Sequence, residues 1–101
     1  MTKELKRALP PVHPGEILRE DILPALGVPK TEIAASLGIS RNQLYNVLNE
    51  TARITPDLAI RFGKLLGNGP MFWLRLQNVF DVWQLEPEID ADAIPTLEGA
   101  A

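Results

Sequence analysis

At 101 residues, 46% of them apolar and 23% charged, the chain has room for one hydrophobic core and the make-up of an ordinary globule, which excludes a disordered protein. The absence of cysteine and a single histidine, His13, exclude disulfides, thiolate chemistry and a zinc site, so no cofactor and no metal is expected. The net charge of -3 is segregated: residues 30–64 hold five bases against three acids, whereas residues 81–101 hold six acids and no base, so a locally basic face survives.

Apolar residues recur at helical spacing throughout, and no segment shows the strict alternation of a half-buried strand, which predicts an all-α chain. The first helix is expected to begin at Pro14 and to bury Ile17, Leu18, Ile22 and Leu23, with Pro24 ending or kinking it. After the turn Gly27-Val28-Pro29, a short second helix carries Ile33, Ala34 and Leu37 inward and stops at Gly38. Ser40, followed three residues later by Gln43, forms a capping box for a third helix whose inner side is Leu44, Val47 and Leu48. Thr55-Pro56-Asp57 opens a fourth helix, with Leu58, Ile60, Phe62, Leu65 and Leu66 in or near the core, closed by Gly67. Pro70 opens a fifth, which runs to about Leu85 before Pro87. Residues 1–85 are thus expected to form the domain, its last helix at about 70–85, and residues 86–101 an acidic tail, either flexible or adding a short strand at 94–97 to a partner. No apolar stretch approaches the roughly 20 residues of a membrane span, and a cytoplasmic protein without membrane contact is expected.

Residues 30–49, KTEIAASLGISRNQLYNVLN, place a short helix, a glycine turn and a capped second helix in the order of a helix-turn-helix. Such a motif needs a small residue where the helices cross, a glycine where the chain turns and apolar residues inside the second helix. Ala34, Gly38, Leu44 and Val47 meet these needs. The helical period then forces Arg41, Asn42, Tyr45, Asn46 and Asn49 outward. Arginine pairs bidentately with guanine and asparagine with adenine in the major groove, so Arg41, Asn42 and Asn46 are the expected base readers on double-stranded operator DNA. Lys30, Ser40, Tyr45, Asn49, Arg53 and Thr55 are expected to meet phosphates or to position the reading helix.

The same residues resemble the HigA-like antitoxins, a branch of the Cro/repressor-type helix-turn-helix proteins. The resemblance rests on HPGEILRE at 13–20, IAASLGIS at 33–40, RITPDLAIR at 53–61 and FWLRLQN at 72–78 followed by DVW at 81–83. It implies a five-helix Cro/repressor-like domain with a C-terminal dimerisation helix. It further implies a dimeric antitoxin that neutralises a RelE-like, ribosome-dependent messenger-RNA-cleaving toxin and represses their shared operon. Two positions depart from the family pattern: Val28-Pro29 replaces the usual serine or threonine cap of the second helix, and Glu50 stands where a glycine often follows the third.

Four of the six aromatic residues, Phe72, Trp73, Phe80 and Trp83, fall in the fifth helix beside Leu76 and Val79, a wider apolar band than one core requires. These six side chains are the expected interface of a symmetric homodimer, since palindromic operators require two reading helices about 34 Å apart. His13 has no partner for metal or nucleophilic work, so a capping or packing role is expected. Glu20 and Asp21 are adjacent and diverge on a helix surface. With no base, nucleophile or metal set assembled, an enzyme is not expected. A repressor without a toxin, and a protein-interaction module using the motif only as scaffold, are the other readings the residues allow.

Overall fold

The computed structural model describes residues 10–98; residues 1–9 and 99–101, the outer ends of the expected domain and tail, lie outside the described residues. Among the described residues every regular element is helical. The first helix, α1, is continuous but built of three stretches: Pro14–Ile17, a π-helical Leu18–Ile22, and Leu23–Leu26. His13 caps it, its Nδ1 accepting the Gly15 N–H at 2.9 Å, in keeping with the expected capping role. Pro24 does not end the helix. Its ring would strike the carbonyl four residues back and it has no N–H to donate, and the preceding π turn, in which the Leu23 N–H reaches the Leu18 carbonyl, supplies the slack. The helix then runs on to Leu26 and stops at Gly27, whose φ of 65° suits glycine.

Helix α2 (Lys30–Leu37) starts behind Pro29 with no side-chain cap, as the departure at 28–29 implies, and ends at Gly38. Helix α3 (Arg41–Leu48) opens with the complete capping box: the Gln43 N–H donates to Ser40 Oγ at 3.1 Å and the Ser40 N–H to Gln43 Oε1 at 3.0 Å. Thr55 caps α4 (Pro56–Leu66), and α5 (Pro70–Leu85) follows after Gly69. Residues 86–98 form single 3-10 turns at Glu86–Glu88 and Ala91–Ala93, without a strand at 94–97, and every one of them is exposed.

The core gathers Leu18 and Leu23 of α1, Ile33, Ala34 and Leu37 of α2, Leu44, Val47 and Leu48 of α3, Ile54 of the following loop, Ala59 and Phe62 of α4, and Trp73 of α5. Burial of each large side chain contributes about 1.5–3 kcal/mol. Two helix pairs touch through backbone. A Cβ on Gly15 would lie 1.9 Å from the Val47 carbonyl oxygen, so α1 and α3 cross with no room for a side chain. A Cβ on Gly63 would lie 2.3 Å from the Gly69 carbonyl carbon, which sets the sharp turn from α4 into α5.

Two expectations are corrected here, and a further residue of the expected interface is partly engaged within the chain. Ile60 and Leu65 are not core residues: Ile60 is 61% exposed and Leu65 39%, because α4 turns Ala59, Phe62 and Gly63 inward and the period carries those two away. Trp73 is not available to a second chain: it is wholly buried, tilted against Phe62 at 5.9 Å, with its Nε1–H donating to Asn68 Oδ1 at 3.0 Å. Phe80 is half-buried, its ring edge-on to His13 at 4.9 Å, so part of its surface is spent inside the monomer.

Candidate nucleic-acid interface

Burial of Leu44, Val47 and Leu48 fixes the rotation of α3 and places Arg41, Asn42, Tyr45, Asn46 and Asn49 on its exposed side. None of these five side chains makes a hydrogen bond or ion pair with another described side chain or backbone group, so their donors and acceptors face solvent together. Gln43 is also exposed, but its carboxamide oxygen is committed to the Ser40 N–H. The face therefore offers a guanidinium, three carboxamides and a phenol, the groups that can address base edges. Lys30 and Ser40 are exposed at the starts of α2 and in front of α3. The hydroxyls of Ser40 and Thr55 accept the Gln43 and Leu58 N–H groups, yet each keeps its own O–H to donate.

Arg53 is placed differently from its expected role. Its Nε and Nη2 both donate to Asp81 Oδ2 of α5, at 3.2 and 2.6 Å, so in this conformation its charge is spent within the chain. Around that pair sits a network with no obvious trace in the sequence. Gln77, 1% exposed, accepts the Ile54 N–H on Oε1 at 2.7 Å and donates through Nε2 to Asp81 Oδ1 at 2.9 Å. The loop after α3 is thereby fastened to α5. The only hint was a carboxamide four residues after Trp73 on the inner face of an apolar helix.

The electrostatics follow from this packing. Burial would raise the Asp81 carboxyl, but hydrogen bonds from Arg53 and Gln77 and the Arg53 charge prevail and hold it below its ordinary value. Burial lowers the His13 imidazole, and Arg19 adds to this, while Glu50 and Asp81 pull it back up; the balance stays below the usual histidine range. The neutral ring is also what its Nδ1 needs in order to accept from Gly15.

Two further arginines are engaged within the chain. Arg61 Nη1 donates to the Leu37 carbonyl at 2.8 Å and the Gly38 carbonyl at 3.4 Å, and its Nε to Asp57 at 2.6 Å. Arg19 Nη1 donates to the Leu48 carbonyl and, at 3.1 Å, to Glu50 Oε2. Glu50 adopts φ 63°, and among the described residues no other non-glycine has positive φ, which accounts for the glycine that the family often places there. With Arg19, Arg53 and Arg61 paired, Lys30, Arg41, Lys64 and Arg75 are the described cations with no described carboxylate within ion-pair distance.

Helix α5 carries the apolar surface. Phe72, Leu76, Val79 and Trp83 follow one another at spacings of four, three and four residues and so share one side; Phe72 and Val79 are 39% and 57% exposed, Leu76 and Trp83 half-buried.

An all-helical domain with a capped, outward-facing third helix behind a glycine turn is that of a helix-turn-helix regulator. No family model matches the chain. It is 38% identical over 76 residues, 75% of this chain and 71% of the other, to an uncharacterized HTH-type transcriptional regulator of Haemophilus influenzae. It is 32% identical over 83 residues, 82% of this chain and 78% of the other, to antitoxin HigA-1 of Vibrio cholerae. Among solved structures, antitoxin GraA in complex with its operator superposes with a TM-score of 0.75 at 32% identity, over 92% of this chain and 94% of that one. The chain belongs to the HigA-like antitoxin family of helix-turn-helix proteins.

Proposed function

We propose that the chain is the antitoxin of a toxin–antitoxin pair, which binds operator DNA as a homodimer, represses its own operon and neutralises a RelE-like messenger-RNA-cleaving toxin. The observation that carries the DNA-binding half is the unpartnered polar face of α3, supported by the likeness to a GraA structure solved with its operator. In this reading Arg41, Asn42 and Asn46 address base edges. Lys30, Ser40, Tyr45, Asn49 and Thr55 engage or approach phosphates, and Arg53 joins them only by exchanging Asp81 for a phosphate oxygen. Phe72, Leu76, Val79 and Trp83, with the free edge of Phe80, form the seam between two copies, since their spacing is that of a two-helix contact and interfaces favour aromatic anchors.

Titration of a duplex taken from upstream of the gene tests the first half. Arg41→Ala is expected to cost about 1–3 kcal/mol and to relax one base position, whereas Lys30→Ala weakens every duplex alike and lowers the salt slope by about one. Unchanged binding by the Arg41 variant would leave the motif as scaffold. Co-purification with the product of the adjacent gene, and growth arrest when that neighbour is expressed alone, test the second. Loss of both leaves a repressor without a toxin, a reading that the likeness to an HTH-type transcriptional regulator supports.

A further inference from the structure

We infer that Arg61 and Arg19 are positioning residues that clamp the entry and the exit of α3 and so set how the reading helix is presented; this rests on the reading of α3 as the DNA-contacting helix. Neither arginine belongs to the helix-turn-helix segment. Arg61 comes from α4, 24 residues after the Leu37 carbonyl it holds, and Arg19 from α1, 29 residues before the Leu48 carbonyl it holds. At the entry, one guanidinium nitrogen spans the last carbonyl of α2 and the carbonyl of Gly38, where the chain turns. At the exit, Arg19 covers the carbonyl that closes α3, one of the groups that a helix leaves without an internal partner.

Each guanidinium is itself oriented by a carboxylate, Asp57 at 2.6 Å and Glu50 at 3.1 Å. The Glu50 carboxylate is offered from a left-handed backbone conformation that a side-chain-bearing residue adopts unfavourably, so the surrounding contacts must hold it in place. The core determines which face of α3 points outward. Charged hydrogen bonds at both ends, made from two different helices, fix where that helix begins and ends against its neighbours. Both cations are engaged by carbonyls and carboxylates of the chain, which is the ground for assigning them a positioning role and not a phosphate contact. At position 61 a lysine cannot substitute, because a single ammonium lacks the forked reach by which Nη1 meets the carbonyls and Nε the carboxylate.

The test compares wild type with Arg61→Ala, Arg19→Ala and Arg61→Lys, at a temperature where circular dichroism shows each variant folded. Each is titrated over a range of salt with the upstream duplex and with a mixed-sequence duplex of equal length. Both alanine variants are expected to bind the upstream duplex about tenfold more weakly, with mixed-sequence binding nearly unchanged and the salt slope as in wild type, and Arg61→Lys to recover little. Equal loss on both duplexes with the slope lowered by about one would make the residue a phosphate contact and overturn the inference; undiminished discrimination would also overturn it. Where an alanine variant does not fold, Asp57→Asn and Glu50→Gln serve, each expected to lose about two- to threefold on the upstream duplex alone. Amide hydrogen exchange on the free protein reads the clamp without DNA. Faster exchange at Gln43 in Arg61→Ala and at Asn49 in Arg19→Ala, with global stability retained, is expected, and unchanged rates overturn the clamp even if wild type fails to prefer the upstream duplex. That failure of preference would count against the proposed function instead.

Discussion

Helices α3 and α5 both expose one side and bury the other, yet they expose opposite chemistry. The outer side of α3 carries a guanidinium and carboxamides without internal partners, and the outer side of α5 carries Phe72, Val79 and Val82. The inner sides are reversed as well: α3 buries only aliphatic groups, whereas α5 buries a tryptophan and a carboxamide, both hydrogen-bonded. A polar exposed face is the ordinary state of a solvated helix and gains meaning only from the types of residue on it. An apolar exposed face on a small chain signals surface that gains by being covered.

The sharpest way to separate the two sides of α5 is to compare its tryptophans. Trp73→Ala is expected to cost about 3–5 kcal/mol in chemical denaturation, enough to unfold much of a domain of this size, because it empties the centre of the core. A cost below about 1 kcal/mol would place Trp73 outside the core. On the α3 side, Gly15→Ala forces α1 away from the Val47 carbonyl and is expected to cost about 1–3 kcal/mol. Gln77→Leu keeps the volume but leaves the buried Ile54 N–H without an acceptor, and a loss of about 1–3 kcal/mol with unchanged helix content is the expected outcome.

Acid should then act in two stages where the start of α1 and the loop after α3 meet α5. His13 has a folded-state pKa below its unfolded one, so the unfolded chain binds the proton first. Its contribution is fully present above about pH 6.5 and is lost as pH falls from there toward the folded value. Asp81 is likewise lowered, so its contribution is present above the ordinary carboxylate range and lost as pH falls through its folded value. Denaturation midpoints measured across acidic pH should show both declines, with the lower one absent from Asp81→Asn. Trp83→Ala is expected to cost the isolated chain about 1–2 kcal/mol, less than Trp73→Ala because its side chain is only partly covered there. In the proposed homodimer it should also abolish the dependence of the melting temperature on protein concentration, and persistence of that dependence would move the seam elsewhere.

Much of the fold was legible because its punctuation is local. Ser40 with Gln43, Thr55 with Pro56, and Gly38 and Gly67 act through contacts spanning only a few residues, so their order alone places the helix boundaries. The outward set on α3 was legible for the same reason: once Leu44 and Val47 are inside, the period leaves Arg41, Asn42, Tyr45, Asn46 and Asn49 no other side. Pro24 misled in part, because a π turn two residues earlier absorbs it.

By itself, the sequence determined the helical periods, the caps and the composition of the reading face, since each depends on neighbours a turn away. Only the tertiary structure decided which aromatic of α5 is wholly core and which is partly exposed, that Ile60 lies outside, that Arg19 and Arg53 are bound to Glu50 and Asp81, and that Arg61 reaches the Leu37 carbonyl. The angle at which helices cross, here set by Gly15 and Gly63, chooses between adjacent residues of one apolar band. A salt bridge across 28 or 31 residues leaves no periodic mark on the chain that makes it.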